Sequence, residues 1–213
     1  MPTLQGEETR RNILRIAVDI ASRQGLSALT IGDLAKELDM SKSGLFAHFG
    51  SKEDLQIATI ATAEHIFGAA IVKPALESPP GLARLVALLD FYIGYLERKI
   101  FSGGCFFSAA AAEFDDQPGP IRDRIAQSLR TWCDLLESQS RAAIDAAELL
   151  PSVDPAQLAF ELEALAYHGN FTRRLMGHEG AFAQARLAIL NRLSAVATPQ
   201  GQPKLEPLCR MTR

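Results

Sequence analysis

Three helix starts follow one another in the run TIGDLAKELDMSKSGLFAHFGSKEDL, which begins at Thr30. Ile31, Leu34, Ala35 and Leu38 recur at i, i+3, i+4 and i+7, the apolar stripe of a helix. Thr30 precedes the stripe and Asp33 lies three residues on, a capping-box arrangement. Asp39, Met40 and Ser41 break the pattern. Ser41 can cap a second short helix from Lys42 to His48, in which Leu45 and Phe49 stand four apart as an inward anchor. Ser51 can cap a third, whose first turn carries Glu53 and Asp54, where the helix dipole favours acids. So dense a set of caps leaves little choice but two short helices, a tight turn and a third helix.

The residues left off the inward anchor of the middle helix are Lys42, Ser43, Gly44, Ala47 and His48. They are small, polar or basic. A helix whose first turn must approach base edges and phosphates closely needs that character. Gly44 costs about 1 kcal/mol of helix stability against alanine, which close approach would justify. Periodicity alone fits equally well an ordinary helical hairpin in an all-α core.

The whole run closely resembles the DNA-binding domain of the TetR family of transcriptional regulators. The order S-x-x-x-L-[YF]-x-H-F-x-S-K-E-x-L carries the resemblance, together with the upstream helix ETRRNILRIAVDIASRQGLSALT, whose end at Gln24-Gly25 leads into Thr30. It covers roughly residues 8–60. It implies that Thr30 caps the second helix and touches a phosphate, and that Lys42, Ser43, Gly44 and His48 lie in or beside the major groove. Lys52 would contact the backbone, and Leu45 and Phe49 would hold the reading helix in place. Position 46 is Phe where many members carry Tyr, so the hydroxyl contact to a phosphate is lost and Phe46 is not counted as a DNA contact.

The remainder reads as helical throughout. An all-α chain of about nine helices is expected: an N-terminal three-helix helix-turn-helix domain over 1–52, a helical effector-binding and dimerisation domain over 53–197, and a disordered tail over 198–213 rich in proline. Helix 4 is expected from Lys52 to about Val72, ended by Pro74. Further helices are expected from Leu82 to Lys99, Cys105 to Phe114, Ile121 to Leu150, Asp154 to Met176 and Ala181 to Val196. No strand pattern and no internal repeat is present.

Composition narrows the function classes. The chain has 213 residues, 47% of them hydrophobic and 22% charged, values of a globular protein. No uninterrupted apolar run approaches about 20 residues, so no membrane span is expected. The first residues carry no apolar stretch of a secretory signal. Cys105, Cys133 and Cys209 are odd in number and fit a reducing cytoplasm better than a disulfide framework. Cys105 and Cys133 read as small buried hydrophobes, and Cys209 as an exposed tail residue. The net charge of −3 argues against a nonspecific nucleic-acid binder. Affinity for DNA would rest on a few placed cations and amide dipoles.

No catalytic constellation appears: there is no Gly-rich phosphate loop, no nucleophile elbow and no cofactor motif. His48, His65, His168 and His178 have no Cys or His partner at zinc-like spacing, so no metal site is expected.

The resemblance further implies a homodimer paired through the last two helices and reading a palindromic double-stranded operator. On those helices Leu158, Leu162, Leu165, Ala166 and Gly169 make one stripe, with Phe160 and Tyr167 on another. Ala181, Ala185, Ala188 and Ile189 offer a small-residue face for close pairing, with Leu187, Leu190 and Leu193 towards the core. It also implies a small, partly apolar or aromatic effector between the middle helices, where Phe91, Tyr95, Cys105, Phe106, Trp132, Tyr167, His168 and Phe171 are the candidate lining. Effector binding would tilt helix 4 and change the spacing of the two reading helices. An all-α small-molecule-binding protein, or a dimeric interaction module without operator binding, stays open as the alternative.

Overall fold

A computed structural model describes the backbone of residues 4–211 and the side chains of residues 6–208. The expected Cys209 thiol and residues 212–213 lie outside that description. Among the described residues there is no strand, and nine α-helices have seven residues or more. The chain forms two compact units, one from residues 1–66 and 99–129, the other from 67–98 and 130–213.

The first unit is built on α1 (Leu4–Gln24), α2 (Ile31–Glu37), α3 (Lys42–Phe49), α4 (Lys52–Phe67) up to Ile66, and α7 (Phe106–Phe114). Ile13, Leu14, Ala17, Val18, Ile20 and Ala21 of α1 recur at helical spacing and are buried. The unit extends beyond the expected boundary at residue 52 because the chain returns to α1 at residues 101–104. A β-carbon on Gly103 would lie 1.8 Å from the Ser22 carbonyl oxygen, so only glycine allows the loop to lie flat on α1. The Gly103 N–H donates to Ser22 Oγ (3.0 Å), and the N–H and hydroxyl of Ser102 donate to the Asp19 carboxylate (2.8 and 2.7 Å). Burial pushes the Asp19 carboxyl up, but the Ser102 donors and the neighbouring Arg23 outweigh it and hold the group below its ordinary value.

The second unit contains a π-helical turn (Gly68–Val72), α5 (Lys73–Ala75), α6 (Leu82–Glu97), the later part of α8 (Pro120–Asp145), α9 (Pro155–Leu175), α10 (Ala181–Ser194), a 3₁₀ turn (Gln202–Leu205) and α11 (Glu206–Met211). The π turn replaces the continuous helix expected to Val72. The stretch Lys52–Ala75 is long and apolar enough by composition to cross a membrane, at a mean hydropathy of 1.4. Thr59, Thr62, Glu64 and His65 interrupt it, which hides it from a search for unbroken apolar runs. Glu64 accepts from the Ser128 hydroxyl (2.5 Å) and pairs with Arg124, as a helix in a globular unit does.

α8 stops at Asp145, five residues short of expectation, because Glu148 turns inward. Ala147 takes the left-handed conformation (φ +55°), and the Glu148 carboxylate accepts the Leu82 N–H at the start of α6 (2.8 Å) while pairing with Lys204. A buried acid thus satisfies an orphan donor of a helix N-terminus. Asp154 caps α9 as its sequence signature predicts, accepting the N–H groups of Ala156 (2.9 Å) and Gln157 (3.1 Å).

Two expectations in this unit fail. Residues 198–208 are ordered: Leu205 and Leu208 are buried, Thr198 Oγ1 donates to the Ala147 carbonyl (2.7 Å), and a β-carbon on Gly201 would collide with the Glu148 carbonyl. Proline marks the start of the 3₁₀ turn there, not a loose tail. The small residues of α9 and α10 pack these helices on each other within one chain. Ala181, Ala185 and Ile189 are buried, whereas Leu187 faces outwards. α10 is also tied to α6, where Arg186 forks onto Glu97 (2.6 and 2.7 Å) and reaches Asp90 (3.1 Å).

Candidate nucleic-acid interface

The caps read from the sequence build the reading head. Thr30 Oγ1 accepts the Asp33 N–H (3.1 Å) and donates to the Asp33 carboxylate (2.6 Å). Ser41 Oγ accepts the Gly44 N–H (3.0 Å), and Ser51 Oγ the Asp54 N–H (3.0 Å). Asp39 turns the chain between α2 and α3 in the left-handed region (φ +51°), which a short polar side chain tolerates. Gly50 (φ +72°) ends α3, and its N–H bonds the Phe46 carbonyl (2.8 Å). Leu45 and Phe49 are buried as the anchor, with the Arg10 guanidinium over the Phe49 ring at 5.0 Å.

With the anchor fixed, the outward face of α3 follows. Lys42, Ser43, Phe46 and Ala47 are exposed, at i, i+1, i+4 and i+5. Gly44 and His48 sit at the edge of that face, half-buried. Gly44 has a local reason as well, since a β-carbon there would press on Ser41 Oγ at 3.0 Å. Phe46, set aside in the sequence for want of a hydroxyl, is 54% exposed in the middle of the face. Only the inward–outward geometry of α3 reveals this, because Phe46 and Phe49 look alike in the sequence.

Lys42 lies back along α2. A β-carbon on Gly32 would lie 3.4 Å from Lys42 Cε and 3.7 Å from Thr30 Oγ1, so ammonium, hydroxyl and the first turn of α2 converge. Lys52 is separate from that group. Its ammonium donates to the Ser27 carbonyl (2.5 Å) in the turn between α1 and α2. Thus the structure brings Thr30 and Lys42 together, puts Ser43 beside them on the α3 face, and leaves Lys52 exposed at the start of α4.

Of the eight residues expected around an effector, six belong to the second unit, and within it they fall into three separate places. Tyr95 and Trp132 meet in an aromatic cluster of the second unit, around Phe67. The ring centroids lie 5.8 Å (Phe67–Tyr95), 5.2 Å (Phe67–Trp132) and 5.5 Å (Tyr92–Trp132) apart. Phe67 was missed because it reads as one more apolar position of helix 4. Phe91 instead borders an open groove of about 610 Å³ beside Pro203 and Pro207. Cys105 and Phe106 are buried in the first unit. Tyr167, His168 and Phe171 stand exposed on α9, with the His168 and Phe171 rings stacked at 6.0 Å.

That exposed face is continuous. Phe160, Ala164, Tyr167, Phe171 and Leu175 follow at helical spacing, with Phe160 68% and Leu175 72% exposed. Leu187 of α10 is likewise exposed. Nearby on α9, burial pushes the Glu163 carboxyl up. Partial desolvation by its neighbours, and then the charges of Glu163 and Asp134, push the thiol of the otherwise exposed Cys133 up. Cys133 is exposed, not buried as expected, and neither Cys105 nor Cys133 is in a disulfide. Among the described residues no cluster of His, Cys, Asp and Glu could hold a metal.

Comparison with known proteins agrees with this geometry. Residues 13–59 match the family described as bacterial regulatory proteins, tetR family, and residues 81–189 match the tetracyclin repressor-like C-terminal domain. The HTH-type transcriptional regulator AcrR of Shigella flexneri is 35% identical over 51 residues, 24% of each chain. The HTH-type transcriptional regulator SrpR of Pseudomonas putida is 24% identical over 70% of this chain and 68% of its own. The chain thus spans about a quarter of the first relative and two thirds of the second. Among solved structures, a TetR transcriptional regulator from Chloroflexus aurantiacus superposes with a TM-score of 0.76 at 23% identity, covering 90% of this chain and 96% of that one. AibR, solved in complex with isovaleryl coenzyme A and operator DNA, gives 0.67 at 19% identity over 88% and 97%. At these identities the structures share the fold. The two domain matches and the capped reading head together make this chain a member of the TetR family of DNA-binding transcriptional regulators.

Proposed function

We propose that the chain is a cytoplasmic repressor that binds a palindromic operator as a homodimer and is released by a small, partly apolar ligand. The observation that carries the reading is the outward face of α3, with Lys42 folded back towards Thr30 at the start of α2. A phosphate fits where a hydroxyl, an ammonium and helix-start amides converge. Ser43, Gly44, Phe46, Ala47 and His48 then meet the groove, and Lys52 meets the backbone. Two such heads related by a two-fold axis read half-sites about 34 Å apart. The exposed apolar stripe on α9, Phe160 to Leu175, supports pairing of two copies there, because so long an apolar face is seldom left to water. Tyr167, His168 and Phe171 then belong to the dimer face. The aromatic cluster of Phe67, Tyr92, Tyr95 and Trp132 is the place we assign to an effector. AibR, bound to an acyl-coenzyme A and operator DNA, supports ligand control in this fold.

Selection of bound fragments from the source genome, followed by fluorescence anisotropy with the recovered duplex, tests the reading. Lys42→Ala is expected to weaken binding without changing the helical circular dichroism spectrum. Binding of the recovered duplex that neither Lys42→Ala nor added salt weakens would refute it.

A further inference from the structure

The turn that follows α1 is gripped by an acid from far along the chain. Gly25 is in the left-handed region (φ +92°), which aims the next two N–H groups into one concavity. The Glu113 carboxylate of α7 fills it: the Leu26 N–H donates to Oε2 (2.6 Å) and the Ser27 N–H to Oε1 (3.0 Å). The fit is close, since a β-carbon on Gly25 would stand 2.8 Å from Glu113 Oε1. The carbonyls of the same two residues face α4. Leu26 O accepts from the buried Gln56 amide (2.9 Å), and Ser27 O from the Lys52 ammonium (2.5 Å). Two residues therefore join a carboxylate on one side, through their N–H groups, to the first turns of α4 on the other, through their carbonyls. All of these residues lie within the first unit.

We infer that Glu113 is a positioning residue for DNA binding: by fixing the Gly25–Ser27 turn it holds Lys52 where its ammonium meets a phosphate. The inference rests on the proposed phosphate contact of Lys52. An ammonium has three donors, and the Ser27 carbonyl occupies one while the long side chain stays exposed. A tethered lysine loses less side-chain freedom on binding than a loose one. Glu113 is an acid, and without the turn it would only repel DNA. Its contribution is indirect and favourable because two charge-assisted hydrogen bonds hold the carboxylate on the turn. The loop that leads into α7 is pinned separately to α1 by the Ser102–Asp19 and Gly103–Ser22 bonds, which fixes the start of the helix that carries the carboxylate.

The test is anisotropy titration of Glu113→Ala, Glu113→Gln, Lys52→Gln and the Glu113→Gln/Lys52→Gln double variant against salt. Two probes are used, the duplex recovered by genomic selection and an arbitrary duplex of about 30 base pairs. Glu113→Gln is isosteric and keeps one acceptor, so it reads the effect if the alanine variant fails to fold. Lys52→Gln is expected to weaken binding to both probes about five- to tenfold and to lower the salt slope by about 0.9. Glu113→Gln should give a smaller loss of the same kind, and the double variant should be no weaker than Lys52→Gln. A folded Glu113→Gln with unchanged affinity and slope, or a loss that adds fully to that of Lys52→Gln, overturns the inference. If Lys52→Gln itself changes nothing, the phosphate contact of Lys52 has failed, and the inference falls with it.

Discussion

Gly169 of α9 faces Ala185 of α10 so closely that a β-carbon on the glycine would lie 2.8 Å from the alanine's. Two helices therefore approach within one protomer at a distance that only glycine permits. Gly169→Leu should cost about 2–3 kcal/mol in urea unfolding, because overpacking of a close helix contact outweighs the gain in helix propensity of about 1 kcal/mol. Gly169→Ala should cost less, since each helix need give only a fraction of an ångström.

With their small-residue face used internally, α9 and α10 leave the stripe from Phe160 to Leu175 exposed, where the proposed second copy would pair. Phe160→Glu and Leu175→Glu each place a charge in that stripe. Sedimentation velocity at micromolar concentration should show the unaltered chain as a dimer and both variants shifted to monomer. Thermal stability of the second unit should change little, because both residues are exposed in the single chain.

Glu163 and Cys133 give a linked pH prediction. Burial raises the Glu163 carboxyl above its ordinary 4.5, so the folded state holds that proton more tightly than the unfolded chain. Stability is then lost as pH rises from that ordinary value through the raised one. Glu163→Gln removes the loss and should be the more stable protein at neutral pH, with the difference vanishing in acid. The thiol follows the same charge. Cys133 should react with a disulfide reagent more slowly than free cysteine at pH 8, and faster in Glu163→Gln. Equal rates in the two proteins would count against the Glu163–Cys133 interaction.

Phe46, in the middle of the exposed α3 face, should be worth testing in both directions. Phe46→Ala should weaken operator binding several-fold through lost apolar contact in the groove. Phe46→Tyr should tighten it by about 1 kcal/mol if the added hydroxyl meets a phosphate. Anisotropy with the recovered duplex reads both.

How much of this was legible depends on range along the chain. Thr30, Ser41, Ser51 and Asp154 cap helices through bonds to residues two or three positions on, and local signals of that kind survive in a bare sequence. Glu148 meets Leu82 and Glu113 meets Leu26 across 66 and 87 residues, and nothing in their neighbourhoods sets them apart from surface acids. The same holds for 198–208, where proline looked like disorder and marks a docked turn. Apart from Phe67, the aromatic residues of the cluster, groove and exposed face are legible in the sequence, but their sorting among these places requires the helix orientations that only packing decides.

The division of the chain has a consequence for the order of events during synthesis. Every residue of the reading head has been made once Leu129 has emerged, whereas the second unit still lacks Leu205 and Leu208 of its core. At about 5–20 residues per second, several seconds separate the two. A nascent chain can thus carry a finished first unit, with α2 and α3 in place, before α9, α10 and the rest of the second unit are complete.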